Sequence, residues 1–361
     1  MSKLDDARKI INEVDSQMAK LFEKRMEAAK LVAEYKKEHA LSILDASREK
    51  EVIAKNAVMV EDEVVREYYI QFLKDTMKIS RDYQSRLNYG MRVAYSGVPG
   101  AFAYIAAKRM FPEAALVSYP NFDEAYKAVE KGECDSAVLP IENSYAGDVG
   151  TVMDLIFSGS LYINQIIDLG IEHNLIACDG ASLDTVKTVV SHEQALSQCK
   201  EYLSARGYST QVYPNTALAA KYVKELNDPT VAAVASDETA AIFGLKILAS
   251  KIHTSKTNTT RFAAFSRTRK ESGKDKKSSE SFILVFTVKN EAGALAKTLD
   301  IIGAHGYNMR NLRSRPMKEL MWSYYFFIEA EGNINSADGR DMLTELGATC
   351  DKLKLAGTYY S

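Results

Sequence analysis

Apolar residues recur every three or four positions from the start of the chain: Leu4, Ala7, Ile11, Val14, Met18, Leu21, Ala28, Val32 and Tyr35. The spacing predicts one long amphipathic helix over Lys3–Glu38. Before Gly90 the chain holds neither glycine nor proline, although it has 19 of one and 7 of the other. In a helix interior these cost about 1 and 3 kcal/mol, so the whole segment 1–90 is predicted helical, with further helices starting near Ser47 and Asp62. The first helix would be about 54 Å long at 1.5 Å per residue. That is more than so small a bundle covers alone, and it predicts an intertwined homodimer. Arg25 falls on the apolar seam where a hydrophobic residue is expected. A buried cation must be paired or face an anion, so an anion site is expected there.

From Met91 the pattern changes to short apolar runs alternating with helical stretches. RVAYSG, ALVSYP, DSAVLPIE, LYINQII and NLIAC are followed by TVKTVVSH, TQVYP, TVAAVAS and RFAAFS. This alternation predicts an α/β domain over 91–267 with largely parallel sheets. The stretch RTRKESGKDKKSS from Arg267 has six basic residues and no apolar ones. It can be read as a nucleic-acid patch, but no aromatics interleave with the charges, and a solvated linker over 268–280 is the better reading. Beyond it, 281–361 carries the order βαββαβ of a ferredoxin-like fold.

Composition narrows the function. The 361 residues imply two or three domains, and 46 % hydrophobic and 26 % charged residues describe a globular protein. A net charge of −2 gives no reason to expect nucleic acid or an anionic membrane as partner. No run of 18 apolar residues predicts a membrane span, and the opening MSKLDDARKI has no apolar signal region. Cys134, Cys178, Cys199 and Cys350 are scattered, with no metal-binding spacing. The expectation is a cytoplasmic protein with free thiols, no metal and no cofactor.

Polar residues in the helical segment form a pattern. Arg25 and Lys36 share one helix face, since their separation is three turns plus about 20° at 100° per residue. Asp45 and Glu49 are spaced to share a face, as are Ser80 and Gln84; Arg8 and Arg48 add cations. The spacing alone supports a helical bundle that binds a small polyanion. The set Arg8, Arg25, Lys36, Asp45, Arg48, Glu49, Ser80 and Gln84, with ARKIINEVDSQMAKLFEKR and ISRDYQ, resembles the all-helical chorismate mutase family. The resemblance implies rearrangement of chorismate to prephenate. This pericyclic reaction of a dianion needs the reactive conformer held and charge on the breaking ether oxygen stabilised. By resemblance, Arg8 (from the partner chain), Arg25 and Arg48 grip carboxylates, helped by Ser80. Lys36 and Gln84 face the ether oxygen, and Glu49 and the chain around Asp45 receive the ring hydroxyl.

In the middle segment, PIENSYAG (Pro140–Gly147), SHEQAL (Ser191–Leu196) and NTTRF (Asn258–Phe262) resemble prephenate dehydratase. That implies two lobes like a periplasmic binding protein, with the site in the cleft. Prephenate must lose CO2 and its ring hydroxyl together, and a donor near the hydroxyl makes it a better leaving group. By resemblance Thr260 is that donor. Asn143, Ser144 and Arg261 position the substrate, Glu142 orients them, and Phe262 completes the site. His192 is either an acid or a structural turn. Ala101 and Ala103 stand where the family often carries serine, which removes two hydroxyls from the first strand–helix turn. Preference for arogenate over prephenate stays open.

The C-terminal segment resembles an ACT regulatory domain, with GALAKTLDIIGAHGYN as the effector loop and RSRP where the family usually shows ESRP. The resemblance implies L-phenylalanine bound at a dimer interface near Gly293, Ala294, Leu295, Asn308, Met309, Arg313, Ser314 and Arg315, with Arg313 reversing a charge there. A domain kept only for dimerisation is the alternative. A sensor with vestigial sites is a competing reading of the whole chain; the complete polar set of the helical segment argues against it.

Overall fold

The computed structural model describes residues 2–255, 257–270, 280–317 and 323–360. The chain divides into two compact units, Met1–Arg92 and Val93–Ser361.

The first unit is three helices, α1 (Lys3–Glu38), α2 (Ala46–Ala57) and α3 (Glu63–Tyr89). Each begins at a polar cap: Ser2 in a reciprocal capping box with Asp5, then Asp45, then Asp62. The third ends at Gly90, the first residue of the chain that breaks helices freely. Along α1 only Ala29 and Ala33 are buried. Leu4, Ile11, Val14, Met18, Leu21, Val32 and Tyr35 of the predicted seam are all exposed in the single chain.

The second unit holds two sheets. The five-stranded sheet runs in the order Lys246–Ala249, Asn174–Ala177, Val231–Ala235, Thr188–Ser191, Ser209–Val212. The larger, ten-stranded sheet contains Tyr162–Gly170, Thr259–Ser266, Ser136–Asn143, Arg92–Ser96 and Ala115–Tyr119 in that order. The chain passes to the small-sheet lobe after Gly170 and returns at Thr259. The two crossing segments bond to each other, Ile171 N to Asn258 O and Ile252 N to His173 O, both at 2.8 Å. This corrects the expected largely parallel sheets. The return strand Thr259–Ser266 is antiparallel to both neighbours, because it arrives from the other lobe and not through a helical crossover on the same sheet. Arg92–Ser96 with Ser136–Asn143 is parallel, and in the small sheet Thr188–Ser191 is parallel to both of its neighbours, so both sheets are mixed.

The remaining strands of the large sheet are the short Gly147–Asp148, which pairs with Ser136–Asn143, and Lys352–Tyr360, Glu280–Thr287, Tyr324–Glu331 and Asn308–Pro316; the last four come with helices Ala294–Ala304 and Ala337–Thr349. This C-terminal part has the predicted βαββαβ order. It joins the dehydratase-like part edge to edge, through parallel pairing of Gly357 with Ile163. A Cβ on Gly357 would run into the Ile163 carbonyl, so the close approach requires glycine. One hydrophobic core spans the junction: Ile163 and Phe265 pack in the same cluster as Ile283, Val285, Tyr325 and Phe327. The predicted linker falls mostly on 271–279, outside the described residues. Its described start is not wholly solvated: Arg269 donates to Asn335 Oδ1 at 3.0 Å.

Candidate active sites

In the helical unit, α1 and α3 lie side by side and bring Arg25 to Ser80. The guanidinium donates to Ser80 Oγ and, at 3.4 Å, to Thr76 O. Burial lowers the Arg25 pKa, but not enough to discharge a guanidinium. Gln84 is buried one turn beyond Ser80, and among the described residues no hydrogen bond reaches its Oε1. Lys36 Nζ donates to Ile43 O at 2.5 Å, tying down the loop before Asp45. Asp45 caps α2 by accepting from Arg48 N at 3.0 Å. Glu49 pairs with Arg81, a residue the sequence reading passed over although it lies inside ISRDYQ. Arg48 is exposed and pairs with Glu51 at 2.8 Å. Arg8 is exposed and lies about 25 Å along the helix from Arg25.

In the second unit, a cavity of about 260 Å³ lies between the lobes, just below the ~300–1,000 Å³ common for ligand sites. Asn143 and Thr260 wall it from the large sheet, where they are direct cross-strand partners. Asn143 Oδ1 accepts from Tyr145 N at 3.0 Å and Ala146 N at 2.9 Å, which turns its amide nitrogen toward Thr260. Nδ2 then donates to Thr260 Oγ1 at 2.8 Å. With its acceptor side engaged, the Thr260 hydroxyl is free to give its proton to a ligand.

The chain of amides continues beyond the predicted set. Asn143 Nδ2 also donates to Asn258 Oδ1 at 3.0 Å, and Asn258 Nδ2 donates to Gln198 Oε1 at 2.9 Å. Gln198 Oε1 can only accept, so His173 Nε2, at 2.8 Å from it, carries a proton. Burial pushes the His173 pKa down to about 4, and the Gln198 bond offsets only part of this. His173 is therefore neutral at ordinary pH. Sequence reasoning missed Phe102, His173, Gln198 and Asn258 in this cavity wall. Asn258 stood inside the quoted NTTRF, and Gln198 just beyond SHEQAL. His192 lines the cavity and also caps a short helix by accepting from Gln194 N at 3.3 Å. Ala101 stands at the N-cap of Phe102–Met110 without a side-chain cap bond, and Ala103 is buried.

Four predicted dehydratase residues do not face this cavity. Strand alternation sends Glu142 and Arg261 to the opposite face of the sheet from Asn143 and Thr260. There Arg261 grips Glu329 through two parallel bonds, at 2.8 and 2.9 Å. Burial raises the Glu329 pKa, but hydrogen bonds from Arg261 and Tyr359 outweigh it and hold the carboxyl below its ordinary value. Ser144 bonds backbone, donating to Thr257 O at 2.9 Å and accepting from Thr259 N at 3.0 Å. Phe262 is buried and is not among the residues that wall the cavity.

The predicted effector residues are split between the two faces of their sheet. Gly293 caps helix Ala294–Ala304 with φ 83°, and open space surrounds the place of its missing side chain. Its positive φ is a backbone conformation that glycine adopts without strain. Leu295 and Met309 pack against the core on the helix side, and Asn308 donates to Glu331 at 2.9 Å. A bulge between Met309 and Asn311 then reverses the alternation. Arg313 and Arg315 consequently face the dehydratase-like lobe: Arg313 pairs with Glu142 and Asp148, and Arg315 with Asp154 and Tyr325. Ser314 is exposed.

Comparison with known proteins gives the class of each unit. Residues 7–85 match the family model described as chorismate mutase type II, and residues 93–270 match prephenate dehydratase. The chain is 32 % identical to the bifunctional chorismate mutase/prephenate dehydratase of Neisseria gonorrhoeae over 98 % of this chain and 95 % of that one. It is 33 % identical to arogenate dehydratase 2 of Petunia hybrida, over 75 % of this chain and 72 % of that one. A solved prephenate dehydratase from Arthrobacter aurescens, in complex with L-Phe, superposes with a TM-score of 0.68 at 27 % identity, covering 75 % of this chain and 90 % of that one. The chain thus combines an isomerase and a lyase. It belongs to the family of bifunctional chorismate mutase/prephenate dehydratases, rearranging chorismate to prephenate and converting prephenate to phenylpyruvate in phenylalanine biosynthesis. Among the described residues, no helix is long and apolar enough to cross a membrane.

Proposed function

We propose that Arg25, Ser80, Lys36 and Gln84 form the mutase site and that Thr260, held by Asn143, is the donor of the dehydratase site. In the mutase, Arg25 and Ser80 receive a substrate carboxylate, and Lys36 and Gln84 stabilise the ether oxygen. Arg48 grips the second carboxylate, leaving its exposed pair with Glu51. Asp45 and Glu49 mark the wall that receives the ring hydroxyl, with Arg81 setting Glu49. Arg8 is too far along α1 to serve Arg25 of its own chain, and the uncovered apolar seam of that helix invites a second copy. A homodimer in which Arg8 enters the partner's site accounts for both.

In the dehydratase, the Asn143–Thr260 hydrogen bond carries the reading. It leaves the threonine proton free for the departing ring hydroxyl, and polarising the hydroxyl makes the threonine a better donor. Carbon dioxide leaves as the ring becomes aromatic, and the leaving oxygen departs with donor assistance.

We assign 1–90 to the mutase, 91–267 to the dehydratase, 268–280 to a linker and 281–361 to an ACT domain. Support for the last is its βαββαβ order and the L-Phe complex of the Arthrobacter relative. Phenylalanine binds beside Gly293–Leu295, Asn308 and Met309 and inhibits by favouring a less active arrangement of the lobes. A cytoplasmic enzyme fits a chain with no disulfide among its described residues. Calorimetric titration tests the effector: millimolar or tighter phenylalanine binding supports it, and no binding at millimolar concentration removes it.

A further inference from the structure

The residues next to Asn143 and Thr260 are held from behind. Glu142 and Arg261 are cross-strand partners on the face turned away from the cavity, and both meet charges from the C-terminal part of the chain. Arg313 Nη2 lies 2.6 Å from Glu142 Oε2, and its other terminal nitrogen pairs with Asp148. Arg261 Nη1 lies 3.6 Å from Glu142 and 2.8 Å from Glu329. The charges therefore alternate along Arg313, Glu142, Arg261 and Glu329. The Arg313 side chain is only 12 % exposed and that of Glu329 3 %, so water screens these pairs weakly.

Glu142 and Asp148 face each other on the two arms of one hairpin, Ser136–Asn143 and Gly147–Asp148. Its turn contains Tyr145 and Ala146, whose amides fix the orientation of Asn143. Arg313 spans both arms with one planar fork, which a single ammonium cannot reproduce.

We propose that Arg313 is a positioning residue for the dehydratase reaction: by clamping both arms of this hairpin it holds the Asn143 amide against Thr260. This rests on the assignment of Thr260 and Asn143 to the dehydratase site. It also reverses an expectation from sequence. There Arg313 belongs to the effector site, as a reversed charge. A glutamate at this position would face the Glu142 and Asp148 carboxylates that Arg313 now pairs with, and should open the hairpin.

The test is steady-state turnover of added prephenate without phenylalanine, using the full chain with Arg313→Lys, Arg313→Met and Arg313→Glu. Mutase turnover of chorismate serves as an internal control. Misplacing the donor should lower dehydratase kcat about tenfold for the Met variant and about a hundredfold for the Glu variant. Lysine should restore part of the loss, and KM and mutase turnover should change little. If the Glu variant does not fold, the Met variant decides. A folded Met variant with wild-type kcat, or one that shifts only the phenylalanine dependence, overturns the proposal. Wild-type enzyme that makes no phenylpyruvate from prephenate instead overturns the dehydratase assignment beneath it.

Discussion

Asn143 Nδ2 donates to Thr260 Oγ1 at 2.8 Å across a directly paired position of two antiparallel strands. The direction of this bond is set by the turn amides of Tyr145 and Ala146, which occupy the Asn143 carbonyl. Asn143→Asp keeps the size and the turn acceptors but cannot donate. The Thr260 proton would then go to the new carboxylate and not to the substrate. Dehydratase kcat should fall about a hundredfold, the usual cost of one preorganised donor. Near-normal turnover of prephenate by a folded variant would remove this bond from the mechanism.

The mutase site makes a separate prediction. Arg25 is the half-buried cation that joins α1 to Ser80 on α3. Arg25→Ala should cost about 2–4 kcal/mol of transition-state stabilisation, read as the loss in kcat/KM for chorismate. Turnover of added prephenate should persist. A folded variant with normal mutase kinetics would place the site elsewhere.

Much of this was legible in the sequence because it depends on local rules. The bounds of α1 follow from apolar spacing and the absence of breakers, and Arg25 stood out as a charge on an apolar seam. The βαββαβ order of the C-terminal part follows from alternation and turn residues. What the sequence hid depends on long-range pairing. Glu142 and Arg261 sit beside site residues in two motifs, yet alternation turns them away, and nothing local reveals that Arg313 and Glu329 wait behind them. The bulge after Met309 leaves no sequence mark, so Met309 and Arg313, which simple alternation places on one face, lie on two. His173 joins the cavity only because the two crossing segments meet.

Subunit composition gives a third test. Arg8→Ala and Arg25→Ala chains should each be poor mutases alone. In a mixed dimer, one of the two sites regains both arginines. Mixing and re-annealing the two variants should therefore recover part of the activity, which a chorismate-depletion assay would register. Demonstrated subunit exchange without recovery would put Arg8 outside the partner's site.

His173 predicts an acid-dependent stability. Its folded pKa of about 4 lies below its ordinary 6.5, so between these values the unfolded chain binds more protons. Stability from this group is full above about pH 6.5, declines as pH falls toward 4 and is flat below. The whole change is about 3 kcal/mol. Denaturant unfolding of wild type and His173→Gln across this window should show a smaller pH slope in the variant, because glutamine keeps a donor toward Gln198 but does not titrate. Equal slopes would contradict a buried, neutral His173.

The account rests on two separate sites in one chain, one making prephenate and the other consuming it through Thr260. The most direct measurement follows chorismate, prephenate and phenylpyruvate together in a single reaction with the wild-type chain and with Thr260→Val, which keeps the β-branched shape and removes the hydroxyl. Wild type should carry chorismate through to phenylpyruvate. The variant should consume chorismate at the wild-type rate while prephenate accumulates. Phenylpyruvate formed at an unchanged rate by the variant, or loss of chorismate turnover in a folded variant, would contradict it.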